Sequence, residues 1–295
     1  MTSSLKTRII GVIPIIEGIA VQSIGFRKYL PLGDPSIIVE NLNRHDIDEI
    51  VILDIGIHKG SLATEFKIFE KCALQSSVPI SIGGGINNIS IANKIIKNIA
   101  DKVVINTSIF LKPNIVTDIA SRFGSQAIIG SLDIKLDRET NRFFAYSHGG
   151  SRNTKYQLDE AIHLCEKIGC GEILINSIDN DGMKNGFNKK LIKEIHSEKN
   201  LPLLIAGGAG SFKHLNIGKK LNIDGICVGN YFNFAEHQVL LTKRYLKNLG
   251  YKIRIGRDIH LNTKFSLKFN SQLPPSEKIL LSNRFSIKKK DNERM

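Results

Sequence analysis

One stretch of this sequence occurs twice, and the repeat limits the folds that the chain can adopt. The first copy, residues 79–107, opens with Pro-Ile-Ser-Ile-Gly-Gly-Gly-Ile, and the second, residues 202–230, opens with Pro-Leu-Leu-Ile-Ala-Gly-Gly-Ala. The copies align without a gap at an offset of 123 residues. Each reads as an apolar strand ending in glycines, a helix, and a second apolar strand. The repeat therefore predicts two similar halves, each with glycine N–H groups and a helix N-terminus suited to an anion.

Eight apolar, β-branched runs predict eight strands. The runs cover residues 8–14, 49–55, 79–83, 102–106, 126–133, 172–177, 202–206 and 225–229. Amphipathic stretches between them, such as residues 36–43, 89–99, 114–123 and 158–168, predict helices. Continuous Ile/Val/Leu runs are typical of parallel strands buried on both faces. The pattern predicts an α/β fold over residues 1–254, a (β/α)8 TIM barrel made of two similar half-barrels. Active sites of such barrels lie at the C-terminal ends of the strands.

Three segments fall outside this regular pattern. Residues 15–35 are expected to form a long loop after the first strand, and such loops often act as lids. Residues 148–154, His-Gly-Gly-Ser-Arg-Asn-Thr, are expected to be polar and flexible. Residues 255–295 carry two adjacent prolines and a late run of three lysines. They are expected to form a basic, partly disordered C-terminal extension.

Composition narrows the function classes. The net charge of +13 fits an anionic ligand or partner, but it is spread along the chain, and no Trp or interleaved aromatics are present to stack bases. These features argue against nucleic-acid binding. No apolar run approaches the ~20 residues of a membrane span, and the N-terminus shows no signal peptide. These features predict a cytoplasmic protein that does not enter a membrane. The four cysteines form no C-x-x-C pair, which predicts buried, reduced thiols and no metal site.

An ordered set of motifs makes the chain similar to a known family. These motifs include Gly-Asp-Pro at residues 33–35, Ile-Gly-Gly-Gly-Ile at 82–86, Ala-Asp-Lys-Val-Val-Ile-Asn-Thr at 100–107 and Ala-Gly-Gly-Ala-Gly at 206–210. On these motifs, residues 8–254 resemble HisF, the synthase (cyclase) subunit of imidazole glycerol phosphate synthase. The resemblance implies a HisH-like glutaminase partner that releases ammonia, which passes through the barrel to a substrate at the C-terminal face. It implies no cofactor.

The resemblance also implies roles for charged residues at the strand starts. Arg8, Glu49, Lys102 and Glu172 match the family's ammonia gate, a ring at the bottom of the barrel. Each stands at the start of a predicted strand, so the residues alone indicate that the four side chains converge. Two cations and two anions form a neutral ring, which avoids the cost of a lone buried charge. The residues alone leave open whether the ring is a gate or a plug that stabilises the barrel base.

Phosphate and substrate contacts are implied in the same way. Gly85, Asn106 and Thr107 match the residues around one phosphate. Gly182, Gly208 and Gly229 match those around the other, where Asn230 replaces a serine typical of the family. Asp54 and Asp181 match positions near substrate hydroxyls and phosphate. Without the resemblance, simple turn geometry explains the glycines equally well.

One departure from the family pattern concerns catalysis. HisF uses two aspartates, one at the end of strand one and one at the end of strand five, as an acid/base pair. Asp133 fills the strand-five position, but Pro14 stands at the strand-one position and has no proton to exchange. The lysine expected in the first loop is Gln22. Glu17 lies nearby in sequence, but it matches a different family position.

The residues that the resemblance assigns to ammonia delivery and phosphate binding are present, whereas one of the two aspartates needed for cyclisation is missing. Altered HisF-like proteins of this kind accompany a HisH-like glutaminase and an amidotransferase in surface-polysaccharide synthesis, and residues 26–35 resemble that branch. The resemblance favours delivery of ammonia to a phosphorylated sugar-type substrate, in sugar amidation for lipopolysaccharide or another surface polysaccharide. Two alternatives stay open at this stage, a true cyclase of histidine biosynthesis and a non-catalytic ammonia-channelling scaffold.

Overall fold

The fold is a closed barrel of eight parallel strands with two added hairpins. The computed structural model describes residues 6–56, 62–195, 200–217, 223–233 and 237–256. Its strands in chain order are β1 (Arg8–Ile16), β2 (Ile19–Ile24), β3 (Lys28–Gly33), β4 (Glu49–Asp54), β5 (Ile80–Gly83), β6 (Lys102–Ile105), β7 (Ile128–Leu136), β8 (Phe143–Ser147), β9 (Arg152–Gln157), β10 (Glu172–Ser177), β11 (Leu203–Ala206) and β12 (Gly225–Val228). The predicted (β/α)8 barrel is confirmed.

Parallel pairing runs around the whole barrel. The order is β1, β4, β5, β6, β7, β10, β11 and β12, and β12 pairs with β1 to close the ring. Arg8 lies opposite Gly225 at this closure, and Glu172 lies opposite Ile129 where β10 meets β7. All eight strands run in one direction, so their C-terminal ends gather at one face of the barrel.

The helices lie on the outside of the barrel, between the strands. They are α1 (Pro35–Arg44), α2 (Leu62–Leu74), α3 (Ile89–Asn98), α4 (Thr107–Leu111), α5 (Pro113–Phe123), α6 (Leu158–Ile168), α7 (Lys189–Glu194) and α8 (Gln238–Asn248). Local sequence fixes several of their ends. Asp34 caps α1 by accepting from the Ser36 N–H, and Pro35 occupies its first turn. Gly169, in the left-handed region, ends α6.

The expectation of a long loop over residues 15–35 is wrong. β1 continues to Ile16, and β2 and β3 form an antiparallel hairpin in which Ser23 pairs with Tyr29. Buried Ala20, Val21 and Ser23 give β2 a covered face, so the segment has enough contacts to hold regular structure. The segment over residues 148–154, which was expected to be flexible, is divided between a turn at residues 148–151 and the start of β9, which pairs with β8 in a second hairpin.

Two separate apolar layers form the core. The larger one fills the space between strands and helices and contains residues such as Ile9, Ile52 and Ile119. The smaller one lies inside the barrel, where side chains two residues apart on a strand share a face. It consists of Ile10, Val51, Val104, Ile129, Leu174, Leu204 and Cys227. All four cysteines are buried free thiols, as expected.

The two halves of the barrel repeat particular contacts as well as sequence. The Ile80 N–H donates to Asp101 Oδ2 at 2.9 Å, and 123 residues later the Leu203 N–H donates to Asp224 Oδ2 at 2.8 Å. Each carboxylate accepts a hydrogen bond from the N–H group of the first residue of a strand, β5 or β11, and so satisfies a buried donor at the start of that strand. The half-barrel repeat is therefore present in hydrogen bonding and not only in residue type.

A buried ion cluster attaches the last helix to the first half of the barrel. The Lys243 side chain of α8 is fully buried, and its Nζ lies 2.8 Å from Asp48 Oδ1 and 3.2 Å from Asp46 Oδ2. Arg254 Nε also contacts Asp48, at 2.9 Å. The residues up to Arg254 form one compact unit. Residues 257–295 lie outside the described residues, so the basic C-terminal extension stays a prediction.

Candidate active site

A cavity of about 560 Å³ opens at the C-terminal ends of the barrel strands. Every residue predicted to bind substrate or phosphate lines it, and so does Asp133: the full set is Asp54, Gly85, Asn106, Thr107, Asp133, Asp181, Gly182, Gly208, Gly229 and Asn230. Three of these are aspartates, and no lysine or arginine is among the described residues of the lining. An anion in this cavity therefore depends on backbone N–H and side-chain amide or hydroxyl groups.

Asp133 lies at the end of the inward-facing row of β7. Its side chain is 8% exposed. Burial, and next the charge of Asp181, raise the pKa of Asp133 from 3.8 to about 7. A carboxyl group with this pKa exchanges protons near neutral pH, as a general acid or base must.

Asp181 follows β10 and is held by the first hairpin. Its Oδ2 accepts from the Ser23 hydroxyl at 2.5 Å and from the Phe26 N–H at 3.4 Å, while its carbonyl accepts from the Gly25 N–H at 2.9 Å. Burial raises the pKa of Asp181 to about 6, although the hydrogen bond from Ser23 opposes the rise. The pKa of Asp181 thus lies below that of Asp133, and the hairpin fixes the geometry of its carboxylate.

Asn106 and Thr107 connect the first predicted phosphate site to the second hairpin. Asn106 Nδ2 donates to the carbonyls of Ser131 and Tyr146 at 2.9 and 3.2 Å. Thr107 Oγ1 accepts from the His148 N–H at 3.1 Å. Both side chains are thereby fixed in orientation, and they line the cavity next to Gly85.

Close backbone approach explains glycines in both halves. At Gly84, with φ +120°, a Cβ atom would lie 2.4 Å from the Asp54 carbonyl oxygen, and at Gly207, with φ +93°, it would lie 2.6 Å from that of Ser177. No side chain fits there. The two positions are related by the half-barrel repeat, as are the neighbouring Gly85 and Gly208.

The second predicted phosphate site is tied to the first hairpin. Asn230 Nδ2 donates to the Ser23 carbonyl at 2.8 Å. Gly182, with φ +70°, packs so closely on this hairpin that a Cβ atom would lie 2.4 Å from the same carbonyl oxygen. The residues expected around one phosphate therefore lie together, between the ends of β10, β11 and β12 and the hairpin.

Pro14 lies in the cavity wall, and neither neighbouring polar residue replaces a carboxylate there. It continues the inward row of Arg8, Ile10 and Val12 along β1. Glu17 is exposed in the turn between β1 and β2, with φ 50°. Glu17 and Gln22 are both absent from the described residues that line the cavity.

The four predicted gate residues meet at the opposite end of the barrel in one ring of ion pairs. Arg8 contacts Glu49 at 2.8 Å and Glu172 at 3.1 Å, and Lys102 contacts Glu172 at 2.7 Å and Glu49 at 3.7 Å. Burial raises the pKa of Glu172, but hydrogen bonds from Arg8 and Lys102 outweigh it and hold the pKa below its usual value. Opposite charges alternate around the ring, so each charge has two partners.

The inner apolar layer lies between the ring and the cavity. On β1, β4, β6 and β10 the residue two positions after the ring residue belongs to this layer: Ile10, Val51, Val104 and Leu174. Val104 and Cys227 also line the cavity floor. The barrel axis is thus charged at one end, apolar in the middle and polar at the other end.

Sequence reasoning missed the residues that the hairpins bring to the cavity. Ser23, Phe26 and Tyr29 come from the first hairpin and His148 from the turn of the second. The sequence signal for the first hairpin was two short runs, residues 19–24 and 28–33, on either side of Gly25. Among the described residues, no group of three or more His, Cys, Asp or Glu side chains could hold a metal ion, and no helix is long and apolar enough to cross a membrane.

Comparison with known proteins agrees with this architecture. Residues 8–238 match the family described as Histidine biosynthesis protein. The chain is 35% identical over 251 residues to imidazole glycerol phosphate synthase subunit HisF of Bacillus subtilis, covering 85% of this chain and 100% of that protein. It is 34% identical to HisF of a Thermotoga species and 31% identical to HisF of Staphylococcus carnosus, each over 251 residues and 85% of this chain, and it covers 98% and 99% of these two relatives. A barrel with this cavity and this similarity identifies the chain as a HisF-like member of the histidine biosynthesis protein family.

Proposed function

We propose that this chain is the synthase subunit of a glutamine amidotransferase complex that delivers ammonia to a phosphorylated sugar-type substrate. A HisH-like glutaminase binds at the ring end of the barrel and releases ammonia there. The ammonia crosses the inner apolar layer and reaches the cavity. Sugar amidation for lipopolysaccharide or another surface polysaccharide is the pathway that we assign to the product.

The observation that carries this proposal is Pro14 in the wall of an otherwise complete cavity. Asp133 retains a pKa of about 7, the two glycine-rich turns remain, and the ring retains all four charges. The strand-one carboxylate is replaced by a residue that cannot exchange a proton, and the lysine of the first loop is replaced by Gln22. A complete ring and complete glycine-rich turns, together with a changed acid/base pair, favour a different acceptor for the ammonia over a loss of function.

The apolar layer supports ammonia as the transported species. A charged ammonium ion pays a large desolvation cost inside such a layer, whereas neutral ammonia does not. The ring places its charges in pairs at the entrance, so no lone charge attracts an ion into the barrel. The arrangement therefore favours passage of the neutral molecule.

Transfer of labelled nitrogen tests the proposal directly. The chain is combined with a HisH-type glutaminase and glutamine labelled with ¹⁵N in the side-chain amide. The complex is offered free and nucleotide-linked sugar phosphates in one reaction, and the histidine-pathway phosphoribosyl substrate in another. We expect label in a sugar product, detected by mass spectrometry. Label in the imidazole product, at a rate lost in Asp133→Asn, would show instead a true cyclase of histidine biosynthesis.

The ring variant Lys102→Leu tests the route. We expect it to lower glutamine-dependent transfer and to leave transfer from ammonium salts unchanged, because free ammonia can enter from the open cavity. Lys97→Leu, on an exposed position of α3, is the matched control. Equal losses with both nitrogen sources would contradict a role for the ring in delivery.

A further inference from the structure

The cavity needs a second proton-transfer group. When ammonia adds to an electrophilic carbon, the C–N bond forms, an electron pair moves to the neighbouring oxygen, and the nitrogen becomes positively charged. One group must give a proton to the oxygen, and another must take one from the nitrogen. Asp133 can do one of these, and Pro14 can do neither.

We propose that Tyr29, on the first hairpin, is the proton donor of this site and acts opposite Asp133 in place of the missing strand-one carboxylate. This inference rests on the proposed function, because it assumes that ammonia reacts in the cavity. The ionised Asp133 takes a proton from the new ammonium nitrogen, and the Tyr29 hydroxyl gives its proton to the developing oxyanion. The proton on Asp133 then returns to the phenolate through solvent, so no proton is gained or lost by the protein.

Pairing in the hairpin places Tyr29 at the site. Ser23 and Tyr29 are direct partners between β2 and β3, so their side chains project from the same face of the hairpin, about 5 Å apart at Cβ. Ser23 Oγ contacts Asp181 Oδ2. Ser23 and Tyr29 both line the cavity, as do Asp133 and Asp181. Tyr29 therefore lines the same ligand space as the two carboxylates.

Electrostatics keeps the hydroxyl protonated. Burial, and then the charges of Asp181 and Asp133, raise the pKa of Tyr29 above 10. The other titratable side chains of the described lining are Asp54, His148 and Cys227, and burial raises the pKa of the Cys227 thiol. Asp181 has a lower pKa than Asp133, and its Oδ2 already accepts two hydrogen bonds, so it is the poorer donor. The His148 ring nitrogen Nδ1 is already engaged with the Ser147 hydroxyl at 3.0 Å. Tyr29 is thus the group that carries a proton at neutral pH and is placed to donate it.

The first experiment does not require the acceptor. The protein is labelled at tyrosine Cζ with ¹³C, the Tyr29 signal is assigned from its loss in Tyr29→Phe, and each sample is titrated by NMR. We expect Tyr29 to ionise above the ordinary pKa of tyrosine, and to ionise at lower pH in Asp133→Asn and in Asp181→Asn, because each variant removes a negative charge. An ionisation of Tyr29 that is unchanged in both variants would overturn the proposal.

The second experiment uses the sugar phosphate that accepts labelled nitrogen. We expect Tyr29→Phe to lower kcat by about 100-fold or more, the usual contribution of a general acid, while KM stays nearly constant. Tyr156→Phe should retain full kcat. Adding Pro14→Asp to Tyr29→Phe should restore part of kcat, which a purely structural tyrosine would not allow. Full kcat in Tyr29→Phe would refute the donor role. If no sugar phosphate accepts nitrogen, the proposed function fails, and the titration still decides where the hydroxyl lies.

Discussion

Asp133→Asn should stabilise the protein, and the gain should grow with pH. Burial and the charge of Asp181 raise the pKa of Asp133 from 3.8 to about 7. The folded state therefore binds the proton more tightly than the unfolded state does. The stability that protonation provides is fully present below pH 3.8 and is lost as the pH rises to about 7. The group is a destabilising buried charge above that window.

The size of the effect follows from the shift. Each unit of pKa corresponds to about 1.4 kcal/mol, so a shift of about three units makes ionised Asp133 unfavourable by about 4 kcal/mol at pH 8. Only about 2 kcal/mol of this penalty is present at pH 5. Asparagine has no charge at either pH. The stability difference between Asp133→Asn and the unchanged protein should therefore widen by about 2 kcal/mol between pH 5 and pH 8.

Urea unfolding of both proteins at the two pH values measures this difference. Asp118→Asn, on an exposed position of α5, is the control and should follow the profile of the unchanged protein. Carboxylates far from Asp133 titrate equally in all three proteins and cancel in the comparison, whereas Asp181, whose charge raises the pKa of Asp133, titrates together with it and belongs to the measured difference. A difference that stays constant within about 0.5 kcal/mol would refute the raised pKa, since uncertainty in the extrapolated energies is smaller than the predicted widening.

Two further predictions concern stability. Gly84→Ala should destabilise the protein by about 3 kcal/mol or more, because it combines a positive φ with a methyl group 2.4 Å from a backbone oxygen. Gly33→Ala, at φ +117° with nothing within 4 Å, is the control and should cost about 1–2 kcal/mol. Equal losses of stability in thermal and urea unfolding would show that the close approach is unimportant. Lys243→Met should lower the free energy of unfolding by about 3 kcal/mol, because it leaves Asp48 and Asp46 without the buried lysine. Lys247→Met, on the exposed face of the same helix, is the control and should cost less than about 0.5 kcal/mol. Similar unfolding midpoints for the two variants would contradict this prediction.

The barrel could be predicted from sequence because its signal is local and repeated. The strands predicted over residues 8–14 and 172–177 begin where β1 and β10 begin, since a parallel strand buried on both faces is a continuous apolar run. A charged side chain that faces inward at the start of a barrel strand lies at the base of the barrel. For this reason the meeting of Arg8 with Glu49 and Glu172 followed from position alone.

The hairpins could not be predicted in the same way. β2 and β3 have only one covered face, and that face is covered by the cavity wall and by Asp181, which is far away in sequence. The role of Tyr29 depends on its pairing with Ser23 across the turn, and pairing register is set by tertiary contacts. Residues 148–154 gave only a polar composition, which does not distinguish a loop from the turn and edge strand of β8 and β9.

The half-barrel repeat has a consequence for how a ligand enters. A cavity built from two equivalent halves offers an elongated molecule two opposite orientations of equal energy. Here the equivalence is broken at the centre, because one half contributes Asp133 and the other contributes Pro14, and because Tyr29 stands on one hairpin and His148 on the other. A ligand with unlike ends therefore meets unlike surroundings in the two orientations, and the presence of Pro14 in one half and Asp133 in the other makes the cavity directional.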